Sequence, residues 1–172
     1  MLSICYPFLV YWGLQHYDTK LLLLILLILL GLRWIAIGGR AERYIVTTTI
    51  VSVSIVVMLW GETLGLKFYP VMMNFSFLIL FAGSLFTSTS FVERLARIRE
   101  PDLPPQAVVY TRKVTLAWSV FFVINGSIAA ITAVWASDKV WMLYNGMIAY
   151  VLMGILATSE WFIRQKVKKS YI

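Results

Sequence analysis

The chain has 172 residues, of which 60% are hydrophobic, 15% are aromatic and only 13% are charged. A soluble domain is about half apolar and about a quarter charged, and so much apolar side chain would leave large adhesive patches on a surface in water. The composition therefore excludes an ordinary soluble domain. It predicts an all-α, polytopic transmembrane helical bundle that forms a single domain over residues 1–172.

The net charge of +7 would point to nucleic acid if the protein were soluble. Here the basic residues lie in short clusters at the ends of apolar runs, which is typical of topology signals and of contacts with anionic lipid. We therefore expect membrane lipids, and no nucleic acid, among the partners. With one cysteine, Cys5, no intrachain disulfide bond can form.

A helix needs about 20 apolar residues to cross about 30 Å of hydrocarbon. The first candidate, residues 2–17, is short, contains Pro7 and Gly13, and ends in a polar turn. It is a thin or tilted span, a re-entrant piece or an interfacial helix, and we favour a full span. The other apolar runs bring the expected number of spans to about six, over residues 21–37, 45–60, 70–91, 114–135 and 140–163.

The one substantial loop covers about residues 92–111. Its apolar residues recur at helical spacing, at Phe91, Leu95 and Ile98. Glu93 and Arg97 are four residues apart, as in a helical ion pair. The loop should therefore contain a short amphipathic helix lying on the membrane surface. Pro101 should end this helix, and Pro104–Pro105 should force an extended segment before the next span.

The basic residues divide unequally between the two sides of the predicted bundle. Lys20, Lys67 and Lys139 fall on one side. The other twelve of the 15 fall on the opposite side: Arg33, Arg40, Arg43, Arg94, Arg97, Arg99, Arg112, Lys113, Arg164, Lys166, Lys168 and Lys169. The larger set marks the cytoplasmic side. We expect a multi-pass protein of the bacterial inner membrane with a cytoplasmic C-terminus, and an N-terminus inside with six spans or outside with five.

The sequence offers little for catalysis. Nucleophilic catalysis needs a Ser, Cys or Thr beside an oriented base, and the only histidine, His16, lies in a polar turn with Asp18. That turn is more simply interpreted as interfacial. One Cys, one His and scattered carboxylates do not make a zinc site. We predict no enzymatic activity, no catalytic or metal-binding residues, and no cofactor.

Polar residues at membrane depth are stronger candidates for a functional role than the catalytic types. They are Asn74, Asn125, Asn145 and Glu160. The asparagines either form hydrogen bonds between helices or line a polar cavity. Glu160 either pairs with Arg164, four residues on, or contacts the loop or a lipid headgroup. Small residues beside Asn125 form a ridge for a neighbouring helix or for a homodimer. Glu62 and Lys67 are interpreted as part of a hydrated loop at the outer end of the third span.

Seven charged residues in and after the loop are candidate contacts for lipid or for a partner: Glu93, Arg94, Arg97, Arg99, Asp102, Arg112 and Lys113. Each basic residue near anionic headgroups contributes about 1 kcal/mol of attraction. The cluster is either a topology signal with generic lipid contact, or a docking site for an acidic cytoplasmic partner or a phosphorylated lipid intermediate.

Several motifs of the second half carry a resemblance to known proteins. They are Tyr-Pro-Val-Met-Met-Asn at 69–74, Val-Glu-Arg-Leu-Ala-Arg-Ile-Arg-Glu-Pro-Asp-Leu-Pro-Pro at 92–105, Tyr-Thr-Arg-Lys-Val-Thr-Leu-Ala-Trp at 110–118, Phe-Phe-Val-Ile-Asn-Gly at 121–126 and Trp-Met-Leu-Tyr-Asn-Gly at 141–146. With them the chain resembles a family of bacterial inner-membrane proteins often encoded in aryl-polyene (pigment lipid) biosynthesis clusters. More distantly, it is similar to the intracellular septation protein A family, where a Leu-Ala-Trp-x-Val-Phe-Phe run also follows a Pro-containing cytoplasmic loop. The resemblance covers about residues 69–165.

The resemblance implies a function without catalysis. The septation family is associated with envelope elongation and division through contacts with other membrane proteins, and no catalytic residues are established for it. The aryl-polyene relatives would place the chain beside enzymes that build and export a membrane-anchored polyene. The residues that mark the resemblance are Asn74, Glu93, Arg94, Arg97, Glu100, Pro101, Asp102, Pro104, Arg112, Trp118, Asn125, Gly126, Asn145, Gly146 and Glu160.

We therefore expect a non-enzymatic accessory or scaffold protein for cell-envelope or membrane-lipid biogenesis. Its partners would be anionic lipids of the inner leaflet and other envelope membrane proteins. The alternative is a transporter or flippase of a lipid-linked intermediate, with Asn74, Asn125, Asn145 and Glu160 lining the path. A third hypothesis, a small intramembrane enzyme, would require His16 to lie within hydrogen-bond reach of a serine or of Glu62.

Overall fold

The computed structural model describes residues 2–36 and 38–169, with side chains for residues 6–36, 38–40 and 42–167. It confirms the predicted all-α helical bundle. The helices are α1 (Leu2–His16), α2 (Thr19–Ala36), α3 (Arg40–Trp60), α4 (Glu62–Ser84), α5 (Phe91–Arg97), α6 (Pro105–Trp135), α7 (Asp138–Leu143) and α8 (Ala149–Lys169). A π-helical turn, Tyr144–Ile148, joins α7 and α8 into one continuous rod.

Five of the described segments are long and apolar enough to cross a membrane. They are α2, α3 from Glu42 onward, α4, α6 and the rod of α7 and α8. No more than a third of each hydrophobic stretch is buried inside the bundle, so most of its apolar surface needs lipid rather than water. Helix α1 has 15 residues and is about 22 Å long, shorter than the about 30 Å of hydrocarbon.

Short connections make successive long helices antiparallel, so the bundle has two ends. We call one the basic end, because α5 lies there together with Arg94, Arg97, Arg99, Arg112 and Arg164. The turn at Gly61 and the start of α7 lie at the opposite end. Helix α4 is central, since it packs along both α3 and α6.

The connection between α3 and α4 is a single residue, Gly61, rather than the predicted hydrated loop. Gly61 has a φ of +89°, a backbone conformation that other residues adopt at a steric cost. One turn later the helices approach so closely that a Cβ atom at Gly65 would overlap the Val57 side chain. Glu62 and Lys67 therefore belong to a helix, and the interpretation of them as loop residues is wrong.

Helix α4 also contains Pro70, which the sequence analysis placed at the start of the span. Proline has no N–H, so the carbonyl four residues earlier loses its helical partner. That carbonyl belongs to Leu66, and the hydroxyl of Tyr6 in α1 donates to it at 2.9 Å. A side chain from another helix thus compensates for the proline, which is why α4 continues through it.

A second set of contacts fixes the opposite end. The indole Nε1 of Trp141, a fully buried residue, donates to the backbone carbonyl of Lys67 at 3.1 Å. The ammonium group of Lys67 forms an ion pair with Asp138, in the first turn of α7. Lys67 is itself buried. Asp138 and Trp141, which lie one turn apart on α7, therefore both bind α4 at Lys67.

The small-residue ridge of α6 packs inside the bundle. Ala129 and Ala133 are buried, and a Cβ atom at Gly126 would lie 3.1 Å from the Cβ atom of Asn74 in α4. Of the two uses expected for the ridge, the structure shows contact with a neighbouring helix of the same chain.

At the basic end, α4 ends at Ser84 and α6 already begins at Pro105. The prediction of an extended segment through both prolines is therefore half wrong. Pro104 is extended, with φ −66° and ψ 154°, but Pro105 occupies the first helical position. Proline fits there because the N–H group of a residue at the first helical position would have no helical acceptor, so its absence costs nothing. The loop proper is limited to residues 85–104.

Candidate functional site

The short helix α5 is the central element of the basic end. Ser90 precedes it, and Glu93 at the third helical position completes a capping box. The backbone N–H of Ser90 donates to Glu93 Oε2 at 3.4 Å. Phe91 packs against Phe81 of α4 with ring centroids 4.4 Å apart. Local sequence thus starts the helix, and an aromatic contact docks it on the bundle.

The predicted ion pair between Glu93 and Arg97 is confirmed. Arg97 donates through Nε and Nη2 to Glu93 Oε1, at 3.0 and 2.8 Å. Its Nη1 also donates to the carbonyl of Pro101, at 2.8 Å. Glu93 is only 3% exposed. It therefore cannot be the surface contact for a partner that the sequence suggested. Its carboxylate holds the loop together from within.

Two further arginines of the predicted contact set bind the loop itself. Arg94 Nη2 donates to Thr87 Oγ1 at 2.9 Å, and Arg94 Nε donates to the carbonyl of Thr89 at 3.2 Å. Arg112 Nη2 donates to the carbonyl of Leu85 at 2.7 Å. Leu85 is the C-cap residue of α4, and a cation there is favoured by the helix dipole. Arginines from α5 and α6 thus hold both ends of residues 85–90.

Five of the seven predicted contact residues are exposed: Arg94, Arg99, Asp102, Arg112 and Lys113. Arg94 and Arg112 bind the loop. Arg99 and Asp102, which follow α5, and Lys113, which lies on α6, are the exposed charges outside those contacts. The structure therefore divides the predicted set into residues that hold the loop and residues that remain at the surface beside it.

A groove with a volume of about 550 Å³ lies at this end between α5, α6 and α8. Apolar and aromatic side chains form most of its lining, including Phe81, Leu95 and Trp118. Its charged lining residues are Arg99, which follows α5, and Glu160 and Arg164, which both lie on α8. The basic end therefore offers a concave surface as well as exposed charges. We call this surface the basic-end groove.

Glu160 is held in the basic-end groove by Tyr110. The tyrosine hydroxyl lies 3.1 Å from the backbone carbonyl oxygen of Glu160 and 3.3 Å from its Oε1. The proposed ion pair with Arg164 is not formed, because no nitrogen of Arg164 comes within 4 Å of the carboxylate; that prediction was wrong. Arg164 and Glu160 instead line the same groove as separate charges.

The asparagines form a hydrogen-bonded chain across the bundle. Asn74 Nδ2 donates to the carbonyl of Pro70 at 2.8 Å. Asn125 Nδ2 donates to Asn74 Oδ1 at 3.0 Å, and the hydroxyl of Tyr144 donates to Asn125 Oδ1 at 2.9 Å. The chain links α4, α6 and the π turn through buried groups. Hydrogen bonding between helices, one of the two uses expected for these residues, is therefore present.

Asn145 lies in the π turn and donates through Nδ2 to Thr132 Oγ1 at 3.2 Å and to the carbonyl of Trp141 at 3.0 Å. Together with Asn74 and Asn125, it also lines a cavity of about 260 Å³. Arg33 of α2 reaches the same cavity. We call it the interior cavity. Glu160 does not line it, so the four polar residues expected along one path are divided between two cavities.

His16 contacts a neighbouring turn of its own helix. Its Nδ1 lies 2.8 Å from the carbonyl of Trp12, and its ring stacks on the Trp12 ring at 4.8 Å between centroids. Within residues 2–36 and 38–169, the histidine, cysteine, aspartate and glutamate side chains form no group of three that could hold a metal ion.

Sequence reasoning missed three residues of these sites. Tyr110 and Trp118 were noted only within a motif that carries the resemblance, and Arg164 only as a basic residue of the cytoplasmic side and a possible ion-pair partner of Glu160. One signal was present for Tyr110 and Trp118: they are eight residues apart on one helix, which places them on the same face. Nothing local showed that α8 would bring Arg164 to that face.

The comparisons with known proteins add no relative. The chain matches no protein-family model, no curated protein and no solved structure.

Proposed function

We propose that this membrane protein is a non-enzymatic accessory or scaffold protein for cell-envelope or membrane-lipid biogenesis, and that it binds a partner through its basic end. One observation carries the proposal. Glu93, Arg94, Arg97 and Arg112 hold the loop in place by hydrogen bonds, while charged neighbours stay exposed. A preorganised charged surface loses less conformational entropy on binding than a mobile loop would.

The charge distribution supports a place and an orientation. With 12 of its 15 basic residues assigned to one side of the bundle, the chain fits the positive-inside rule for a bacterial inner-membrane protein with a cytoplasmic C-terminus. The basic end would then face the cytoplasm. A cysteine-labelling experiment tests this: Lys113→Cys or Lys166→Cys in a Cys5→Ser background should be protected from an impermeant maleimide in intact cells and should react once the cells are permeabilised, and Lys139→Cys should react in intact cells.

The resemblance noted in the sequence supports the class of partner. Both resembling families, the aryl-polyene-associated proteins and the septation proteins, operate in the envelope beside other membrane proteins. We therefore propose an envelope membrane protein, or an enzyme of membrane-lipid assembly, as the partner that meets Asp102 and Lys113.

The test is crosslinking and co-purification from native membranes. The variant Asp102→Lys/Lys113→Glu reverses two exposed charges without changing the net charge, and it leaves the residues that hold the loop intact. It should insert normally and lose the partner. Lys139→Glu, at the opposite end, is the control and should keep it. Unchanged co-purification with the double variant would contradict the proposal.

A transporter or flippase for a lipid-linked intermediate is the second candidate, favoured by the interior cavity alone. Three asparagines line that cavity at membrane depth, and Arg33 lines it from the last turn of α2; polar residues within a span are costly and favour a functional role. The test is movement of a fluorescent phospholipid between leaflets of reconstituted vesicles. Movement that exceeds that in protein-free vesicles, and that stops when Ala149→Phe fills the cavity, would support transport. Movement equal to that in protein-free vesicles would exclude it.

A further inference from the structure

The basic-end groove combines two kinds of lining that suit one class of ligand. Its apolar part is made by Phe81, Leu95 and Trp118, and its polar part by Arg99, Arg164 and Glu160. A ligand that fills it must therefore have an apolar portion and a charged portion. Ile98 also lines the groove and is 78% exposed, so the protein itself leaves this apolar surface uncovered.

The charges specify the polar portion. Two guanidinium groups (+2) and one carboxylate (−1) leave a net charge of +1 in the groove. One phosphodiester carries a single negative charge and would balance it, and guanidinium is well matched to phosphate oxygens. The carboxylate of Glu160 can only accept hydrogen bonds, so the same ligand should carry a hydrogen-bond donor beside its phosphate. A hydroxyl donor keeps the net charge of the ligand at −1, whereas an ammonium donor would make the ligand neutral and leave the groove at +1.

The position of the groove relative to the membrane agrees with a ligand that has one polar and one apolar portion. Helix α6 has 31 residues and is about 46 Å long, roughly 16 Å more than the hydrocarbon core. If its other end, at Trp135, lies at the lipid boundary as tryptophan prefers, the first ten or so residues of α6 project beyond the core. Tyr110 then lies at the level of the headgroups, and Trp118 lies just inside the hydrocarbon.

We propose that the basic-end groove binds one anionic phospholipid with a hydroxyl-bearing headgroup, of the phosphatidylglycerol class. Arg99 and Arg164 contact the phosphodiester, and Glu160, oriented by Tyr110, accepts a hydrogen bond from a headgroup hydroxyl. The start of an acyl chain lies along Trp118 and Phe81. This site is separate from the exposed charges of Asp102 and Lys113, to which the partner was assigned.

Lipid retention by the purified protein tests the proposal. Protein extracted gently and exchanged into vesicles that contain equal amounts of phosphatidylglycerol, phosphatidylethanolamine and phosphatidylcholine should keep one phosphatidylglycerol in native mass spectrometry. Arg164→Gln should weaken that retention about tenfold, as expected for loss of one charge-assisted contact. Lys166→Gln removes an exposed cation two residues on and should change nothing.

A groove-filling pair keeps the test independent of charge. Ala96→Trp places a large side chain in the groove and should exclude the lipid. Ala117→Trp, at an exposed position of α6 outside the groove, is the matched control. Both should show the thermal unfolding midpoint of the parent protein. Partner co-purification should survive Arg164→Gln, so the failure of the lipid site and the failure of the partner surface give different results.

Glu160→Gln tests whether the charge of the groove selects the lipid headgroup. It raises the net charge of the groove from +1 to +2. In vesicles to which phosphatidic acid is added, lipid preference should therefore shift from phosphatidylglycerol toward phosphatidic acid, whose phosphomonoester carries more negative charge. Equal retention of the three vesicle lipids by the parent protein would overturn the proposal. So would retention of phosphatidylglycerol that neither Arg164→Gln nor Ala96→Trp reduces.

Discussion

The hydroxyl of Tyr6 donates to the carbonyl of Leu66, the group that Pro70 deprives of its helical hydrogen bond. This contact attaches α1 to the first turns of α4, near the end of the bundle at which Lys67 lies and at a point where α4 could otherwise bend. It also explains how a proline lies inside a membrane-spanning helix without ending it, since other helices can satisfy the released carbonyl.

Tyr6→Phe removes that hydrogen bond and should reduce the free energy of unfolding in detergent by about 1 kcal/mol. Pro70→Ala restores a backbone N–H that can bind Leu66 within the helix. In the Pro70→Ala background, Tyr6→Phe should therefore have little further effect. A double-mutant cycle from thermal or SDS unfolding measures the coupling. Equal effects of Tyr6→Phe in both backgrounds would contradict the relationship.

Asn125→Leu should be the most costly single change in the asparagine chain. Asn125 both donates to Asn74 and accepts from Tyr144, so its loss leaves two buried groups without partners. We expect about 1–2 kcal/mol of destabilisation, within the range of hydrogen bonds between membrane helices. Ser127→Ala, an exposed position whose hydroxyl bonds only its own helix, is the control and should shift the unfolding midpoint little.

Removing one partner of the Lys67–Asp138 ion pair should cost more than removing both. Lys67 is buried, with a side chain 10% exposed, while the Asp138 side chain is 45% exposed. Asp138→Asn leaves a buried ammonium group without its counterion. It should lower the free energy of unfolding by about 1–2 kcal/mol once solvent screening is allowed for. Adding Lys67→Met should recover part of that loss. Lys139→Met, at the neighbouring exposed lysine, should be neutral in the same unfolding assay.

Glu93→Gln should loosen the loop without unfolding the bundle. The substitution removes the charge that Arg97 binds and weakens the capping box of α5. Loss of one charge-assisted hydrogen bond corresponds to roughly tenfold faster amide exchange in residues 85–104, with exchange in α4 and α6 unchanged. Asp102→Asn, at an exposed carboxylate, should leave exchange at its parent rate. Uniform acceleration throughout the protein would instead indicate global destabilisation.

The fold was predictable where the signal is local. Long apolar runs predict α2, α6 and the rod of α7 and α8, because lipid imposes length and composition on any spanning helix. The Glu93–Arg97 pair was predictable for the same reason, since residues four apart on a helix are neighbours.

Residues distant in sequence decided the points that were wrong. Pro70 looked like a helix boundary because the hydroxyl of Tyr6, which compensates for it, comes from α1. Lys67 looked like a loop residue because its partner, Asp138, lies on α7. Glu160 and Arg164 have the spacing of an ion pair, but Tyr110 of α6 engages the carboxylate instead. In each case a tertiary contact outweighed the local rule.

The π turn between α7 and α8 has a consequence for the direction that α8 faces. It accommodates one residue more than an α-helical turn, and each residue of an α-helix rotates the chain by about 100°. A continuous α-helix would therefore turn Glu160 and Arg164 by about 100° relative to Trp141, which is bound to α4. The π turn thus sets which face of α8 lines the basic-end groove.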